Sequence, residues 1–201
     1  GKKNGWDRQP RVTLQVRHPG EKFVQRHEKE WPLKRTKWTK FYLDPTARSL
    51  VRVPAKSTGS ITYDGLGEGV TFMSAPLDKA TEITGPSALK LWVSSATADA
   101  DIFAVLRVFD PRGKEVVFQG ALDPHTPVAQ GWLRASNRKL DPKLSRPYRP
   151  YHTHDRKQPL KPGQAVELDV EIWPTCIVVP KGYRIALTIR GKDYEWEGEA
   201  T

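Results

Sequence analysis

Residues 165–173 read AVELDVEIW, and no other stretch limits the possible folds so firmly. Apolar and polar residues alternate without a break, so on an extended chain Val166, Leu168, Val170 and Ile172 share one side while Glu167, Asp169, Glu171 and Trp173 share the other. Such a segment is a strand with one dry face. The same period runs through RVTLQVR (11–17), TKFYL (39–43), SLVRV (49–53), ALKLWVS (88–94), EVVFQ (115–119), GWLRAS (131–136) and YRIALTIR (183–190). DPRG (110–113), LKPG (160–163) and VPKG (179–182) are Pro-containing turns with Gly where a positive φ is needed, and no amphipathic helix exceeds two turns. Short antiparallel strands punctuated in this way predict an all-β fold, a β-sandwich of jelly-roll type.

A chain of 201 residues with 37% apolar side chains can bury one good core. The reading is therefore one structural domain overall, with residues 1–55 a basic lead-in segment packed on the sandwich and residues 56–201 the sandwich itself. Alternation in ALKLWVS turns Leu89, Leu91 and Val93 inward and leaves Trp92 outward beside Lys90. IFAVLRVF (102–109) is apolar on both sides, which predicts a central strand whose outer side is covered. Trp92, Trp173 and one of the pair Phe103 and Phe109 would together form an apolar patch. Two readings stay open for it. Either loops 18–36 or 137–162 fold back over the rings, or the rings meet a partner.

Charge narrows the classes of partner. The formal net charge is +10, with twelve Lys or Arg against four acids in residues 1–40 and nine against two in residues 134–161. No aromatic-basic-glycine signature, zinc-finger spacing or recognition helix accompanies these cations, so the expectation is no nucleic acid, and a solvated basic face or an acidic protein partner instead. No run of 18 apolar residues exists, which argues against a membrane partner through a spanning helix. Cys176 is the only cysteine, so an internal disulfide and a thiolate zinc site are excluded and the expected compartment is the cytoplasm. In WPTCIVVP it stands among apolar strand residues, where burial would make it inert.

Signals for catalysis are weak. The strained Gly-x-Ser-x-Gly turn of α/β-type serine hydrolases is missing; GPSAL (85–89) has Pro86 before the serine and Leu89 in place of the last glycine. PYRPYHTHDRKQPLKPG (147–163) brings His152 and His154 two residues apart, on one side of any extended strand, with Asp155 on the other. A third ligand would have to come from His18, His27 or His125, none of them within a short motif. Pro147, Pro150 and Pro159 favour a stiff loop whose Tyr and His side chains pack, and no metal or cofactor is expected.

TEITGPSALKLWVSSATADADIFAVLRVFDPRGKEV, followed by GWLRASNRKLDPKLSRPYRPYHTHDRKQPLKPGQAVELDVEIWPTCIVVPKGYRIALTIRGKDY, closely resembles the C-terminal domain of X-Pro dipeptidyl-peptidases and cocaine-esterase-like (CocE/NonD) serine hydrolases. The resemblance covers roughly residues 60–195, and EKEWPL and WTKFYLD look like that family's lead-in. It implies a galactose-binding-like sandwich that follows an α/β-hydrolase domain of the same parent chain, packs on it and helps close its substrate cleft. The Ser, Asp and His of that domain lie upstream, so no catalytic residue carries over and the fragment alone should be inactive. Relatives continue beyond the position of Thr201, which implies a sheet short of a C-terminal strand. Trp92, Trp173, Tyr148, His152 and His154 are the candidates for the domain interface. A jelly roll with seven tryptophans is also compatible with a carbohydrate-binding module, a reading that rests on fold analogy.

Overall fold

The computed structural model describes residues 3–54 and 58–196. In chain order the strands are β1 (Val12–His18), β2 (Lys22–Glu28), β3 (Tyr42–Asp44), β4 (Ser49–Val51), β5 (Val70–Ser74), β6 (Thr81–Val93), β7 (Asp101–Phe109), β8 (Ala129–Arg134), β9 (Val166–Val179) and β10 (Arg184–Arg190). One sheet has the order β2-β1-β9-β6 and the other β3-β4-β5-β10-β7-β8. Most neighbours are antiparallel, whereas β1 with β9 and β4 with β5 run parallel, so both sheets are mixed. Two single turns of 3-10 helix, Trp6–Arg8 and Ala135–Asn137, are the only helical segments among the described residues. The fold is the all-β sandwich that the alternation predicts.

The sheets meet along their apolar sides. Leu168, Val170 and Ile172 of β9 and Leu89 of β6 pack against Ile102 and Ala104 of β7 and Ile185, Leu187 and Ile189 of β10. A second cluster at one end joins Val108, Ile177 and Val179 to Val116 and Phe118. EVVFQ, expected as a strand, makes only the isolated bridges Phe109 with Glu115 and Phe118 with Thr126. Val116 and Phe118 turn into the end of the core, and no neighbouring strand is available to extend a ladder. The three turns do carry the expected backbone: Gly113, Gly163 and Gly182 have φ of 87°, 75° and 83°.

Residues 1–55, expected to pack on the sandwich, supply β1 to β4, two strands to each sheet. The boundary drawn between 55 and 56 lies outside the described residues, as does Thr201 with the strand loss inferred there.

Two local devices shape the surface. Between Ile172 and Thr175 β9 carries one more residue than β6 does between Gly85 and Ser87, a bulge that exchanges which side chains point inward. Even-numbered residues are buried before it, and Thr175, Ile177 and Val179 after it. Pro174 sits in the bulge, where its missing N–H breaks no ladder bond, and it leaves Trp173 and Pro174 exposed side by side. At the other device, β8 presses its backbone against β9: a Cβ at Gly131 would overlap the Glu171 carbonyl. Only glycine permits this approach, which shuts the sandwich along that border.

Candidate functional site

Closure at Gly131 brings together two rings from different sheets. Trp132 follows Gly131 on β8, opposite Phe103 and on the outer side of the six-stranded sheet. Trp173 stands on the outer side of the four-stranded sheet. Their ring centroids lie 5.1 Å apart at an interplanar angle of 43°, a tilted pair across the seam. Both remain exposed, Trp132 by 51% and Trp173 by 60%. Beside them runs an open groove of about 530 Å3, whose apolar lining is Leu14, Trp31, Pro127, Trp132, Trp173 and Pro174.

The charged group of the groove is engaged from within. Arg17 donates to the Val128 carbonyl at 2.6 Å and to the Thr175 hydroxyl, and its guanidinium lies 4.5 Å from the centre of the Phe118 ring. Burial pushes its pKa down, with Cys176 and Glu21 opposing. Through its Nη2, Arg17 ties the groove wall to β9 and to the Val128 backbone. Cys176 also lines the groove, half-buried and 3.3 Å from the Thr84 hydroxyl. The full burial expected for it fails because the bulge reverses the strand's parity and turns the thiol outward.

The other expected residues are dispersed. Trp92 is 64% exposed and pairs with Glu167, six residues along β9 from Trp173. At about 3.3 Å per residue that is roughly 20 Å away. Lys90 beside it forms ion pairs with Glu167 and Asp169. Tyr148 stacks on Trp38, centroids 3.9 Å apart and planes within 8°. His152 is half-buried, paired with Leu140 in an isolated bridge, and burial, with the neighbouring His154, lowers its pKa. His154 is exposed, and its left-handed φ of 52° breaks the extended path that would align the two rings. Their centroids are 6.1 Å apart, and among the described residues no three His, Cys, Asp or Glu side chains are grouped to hold a metal ion. Asp155 is held at about 2 by Lys139 and Thr153.

The Pro-Tyr-His loop is stitched to the sandwich: the Leu160 amide donates to the Ala98 carbonyl at 2.7 Å, the Gly163 amide to the Ser95 carbonyl at 2.8 Å, and the Leu160 side chain enters the core. Neither this loop nor loop 18–36 covers Trp173. The latter instead forms β2 and sets Trp31 at the rim of the groove. Ser87, the serine of GPSAL, is an ordinary β6 residue paired with Ile172, not the tip of a nucleophile turn.

Trp132 and Trp31 are the aromatics that sequence reasoning missed. For Trp132 the signal was available, because Gly131 and Leu133 point inward by the alternation that exposed Trp92. Trp31 carries no such signal.

Comparison with known proteins supplies the wider setting. Residues 4–199 match the family described as the X-Pro dipeptidyl-peptidase C-terminal non-catalytic domain. The chain belongs to this family. Crystal structures of a CocE/NonD family hydrolase from Staphylococcus aureus superpose with a TM-score of 0.90 at 29% identity, covering 98% of this chain and 36% of that one. An aminopeptidase from a marine sediment Thaumarchaeota archaeon shares the fold at a TM-score of 0.65 and 12% identity, over 92% of this chain and 33% of that one. Proteins of Mycobacterium bovis and Mycobacterium tuberculosis whose names carry the term serine esterase are 33% identical over 128 residues, 62% of this chain and 19% of theirs. The chain thus spans about a fifth of these curated relatives and about a third of the solved ones. It is a non-catalytic C-terminal domain of the X-Pro dipeptidyl-peptidase and CocE/NonD hydrolase kind. No helix among the described residues is long and apolar enough to cross a membrane.

Proposed function

We propose that this domain packs on the α/β-hydrolase domain of its parent chain through the tryptophan seam and, in doing so, helps close the substrate cleft of a serine hydrolase acting on an ester or Xaa-Pro amide. The carrying observation is the pair Trp132 and Trp173, half or more exposed beside an apolar groove, in a chain that matches only 36% of a solved relative. Exposed aromatics clustered at a groove are the usual anchors of a protein interface.

Among the other interface candidates, Trp92, about 20 Å along β9, would extend the contact only if the partner is broad. Tyr148, His152 and His154 belong to a second region and would meet the partner from the side of the Pro-Tyr-His loop. A sugar platform is less well supported, because rings inclined at 43° offer no shared flat face. In the parent, the reacting serine, its histidine and the oxyanion hole would all come from the other domain.

The test has two parts. The isolated domain should hydrolyse neither a p-nitrophenyl ester nor an Xaa-Pro anilide. In the full parent chain, Trp132→Ala with Trp173→Ala should lower kcat/KM at least tenfold with the fold intact. Activity of the isolated domain that vanishes on covalent serine labelling, or an unchanged kcat/KM in the double variant, would reject the reading.

A further inference from the structure

The two most basic segments of the chain are far apart in sequence and meet in space. Trp38 and Tyr148, stacked at 3.9 Å, join residues 34–40 to residues 143–149. Within a few residues of the stacked rings along the chain are Lys37, Lys40, Lys143, Arg146 and Arg149, all exposed and with no ion pair among the described residues. The acids close by are already engaged. Glu30 pairs with Lys34, Glu28 with Arg35 and Arg26, Asp155 with Lys139, and Asp141 accepts from the Lys143 and Leu144 amides. The result is an excess of positive charge in two segments joined by the ring stack, which also expose Trp38 by 49% and Leu144 by 47%.

Resting on the docking proposed above, we infer that this basic surface is a second, electrostatic contact, and that it meets an acidic surface on the catalytic portion of the same parent chain. Three observations select that occupant. The charge is unbalanced on this side, so the partner must be negative. A second copy of this domain would bring like charge to like. The matching chain of the solved relative holds nearly twice as much again outside this domain, and one short segment, residues 31–38, carries both Trp31 of the groove and Trp38 of the stack. Nucleic acid also favours cations beside aromatics. Here each ring already gives one face to the other, and no nucleic-acid recognition motif accompanies the cations, so an acidic protein surface is favoured.

The contact would act at short range. Exposed charges separated by more than about 10 Å are screened at 0.1 M salt, so the acids must lie against these cations. A zero-length carbodiimide, which joins an ammonium to a carboxylate only in direct contact, reads this in the intact hydrolase. At 50 mM salt, Lys37, Lys40 or Lys143 should be linked to Asp or Glu residues outside residues 1–201. The yield should fall at least fivefold at 0.5 M salt and in the Arg146→Glu, Arg149→Glu variant, with unfolding followed separately to confirm that the variant is folded. Links confined to acids within residues 1–201, or a yield indifferent to salt and charge reversal, would overturn the inference. So would a cross-linked species of twice the mass, or tight binding of a single-stranded 20-nucleotide oligomer that charge reversal abolishes. Oxidation of Trp132 and Trp173 measured on the same sample separates the two ideas: rings protected without lysine links sink only the electrostatic contact, and rings unprotected sink the docking itself.

Discussion

The outer side of the six-stranded sheet and the seam beside it both carry apolar side chains away from the core, yet the chain treats them differently. On the sheet, Val105, Ala186 and Thr188 are almost fully buried although they face away from the core. The chain itself supplies the cover. Glu115 pairs with Arg107 through two bonds of 2.8 and 2.6 Å, and the last described residues return over the strands, with the Tyr194 ring 5.8 Å from the Arg107 guanidinium and Trp196 stacked on His125 at 3.7 Å. Burial and the nearby Glu115 charge push the Tyr194 hydroxyl's pKa up. At the seam, Trp132 and Trp173 lean on each other beside an open groove and stay 51% and 60% exposed. On the docking proposed above, the roof of the seam is supplied by the catalytic portion of the parent chain.

If the covered face is structural, breaking its ion pair should have the largest effect. Arg107→Met would strand Glu115, whose side chain is only 7% exposed, and should cost about 4 kcal/mol in urea unfolding. The closure that makes the seam is nearly as sensitive. Gly131→Val forces a branched side chain into the Glu171 backbone and should cost about 3 kcal/mol, with a change in tryptophan emission as Trp132 moves from Trp173.

A smaller effect appears in acid. Arg26 on β2 donates to Glu82 on β6 at 2.9 Å and holds that carboxyl at about 2, well below its ordinary 4.5. A depressed carboxylate stabilises the fold above about pH 4.5 and loses that contribution as the pH falls towards 2. Both side chains are about a third exposed, so solvent screening keeps the gain below about 1 kcal/mol. Glu82→Gln should flatten the stability curve in that window, lowering stability at pH 7 by less than about 1 kcal/mol and leaving it unchanged near pH 2. His152 works in the same direction at higher pH. Its lowered pKa means that the unfolded chain takes up the proton first, so stability declines below about pH 6.5, and His152→Gln should remove that slope. Smallest of all, Trp132→Ala and Trp173→Ala should each change the stability of the isolated domain by less than about 0.5 kcal/mol, because neither ring is in the core.

The parts legible in the sequence are those where two faces of a strand differ in polarity. The first half of β9 and β8 announce themselves because a dry face and a wet face alternate, whereas β10 alternates in residue type although both of its faces are buried. β2, KFVQRHE, is an edge strand exposed along most of its length, so it has no such contrast and reads as loop. EVVFQ alternates well and is still no strand, since the same pattern serves a segment that plugs the end of the core. Site residues follow the same logic. Trp92 and Trp173 come from local periodicity, whereas the meeting of Trp173 with Trp132 depends on a contact between β8 and β9 that only tertiary closure creates. The outward turn of Cys176 depends on a single extra residue in the β9 bulge. The stack of Trp38 on Tyr148 joins positions more than a hundred residues apart, and no short-range pattern signals it.

Oxidative footprinting of the tryptophans in the intact parent hydrolase tests the bare seam most directly, with Trp6, 75% exposed and not among the residues that line the groove, as the internal reference. Trp132 and Trp173 should oxidise at least tenfold more slowly than Trp6. Oxidation of all three in proportion to exposures of 51%, 60% and 75% would contradict a roof supplied by the catalytic portion.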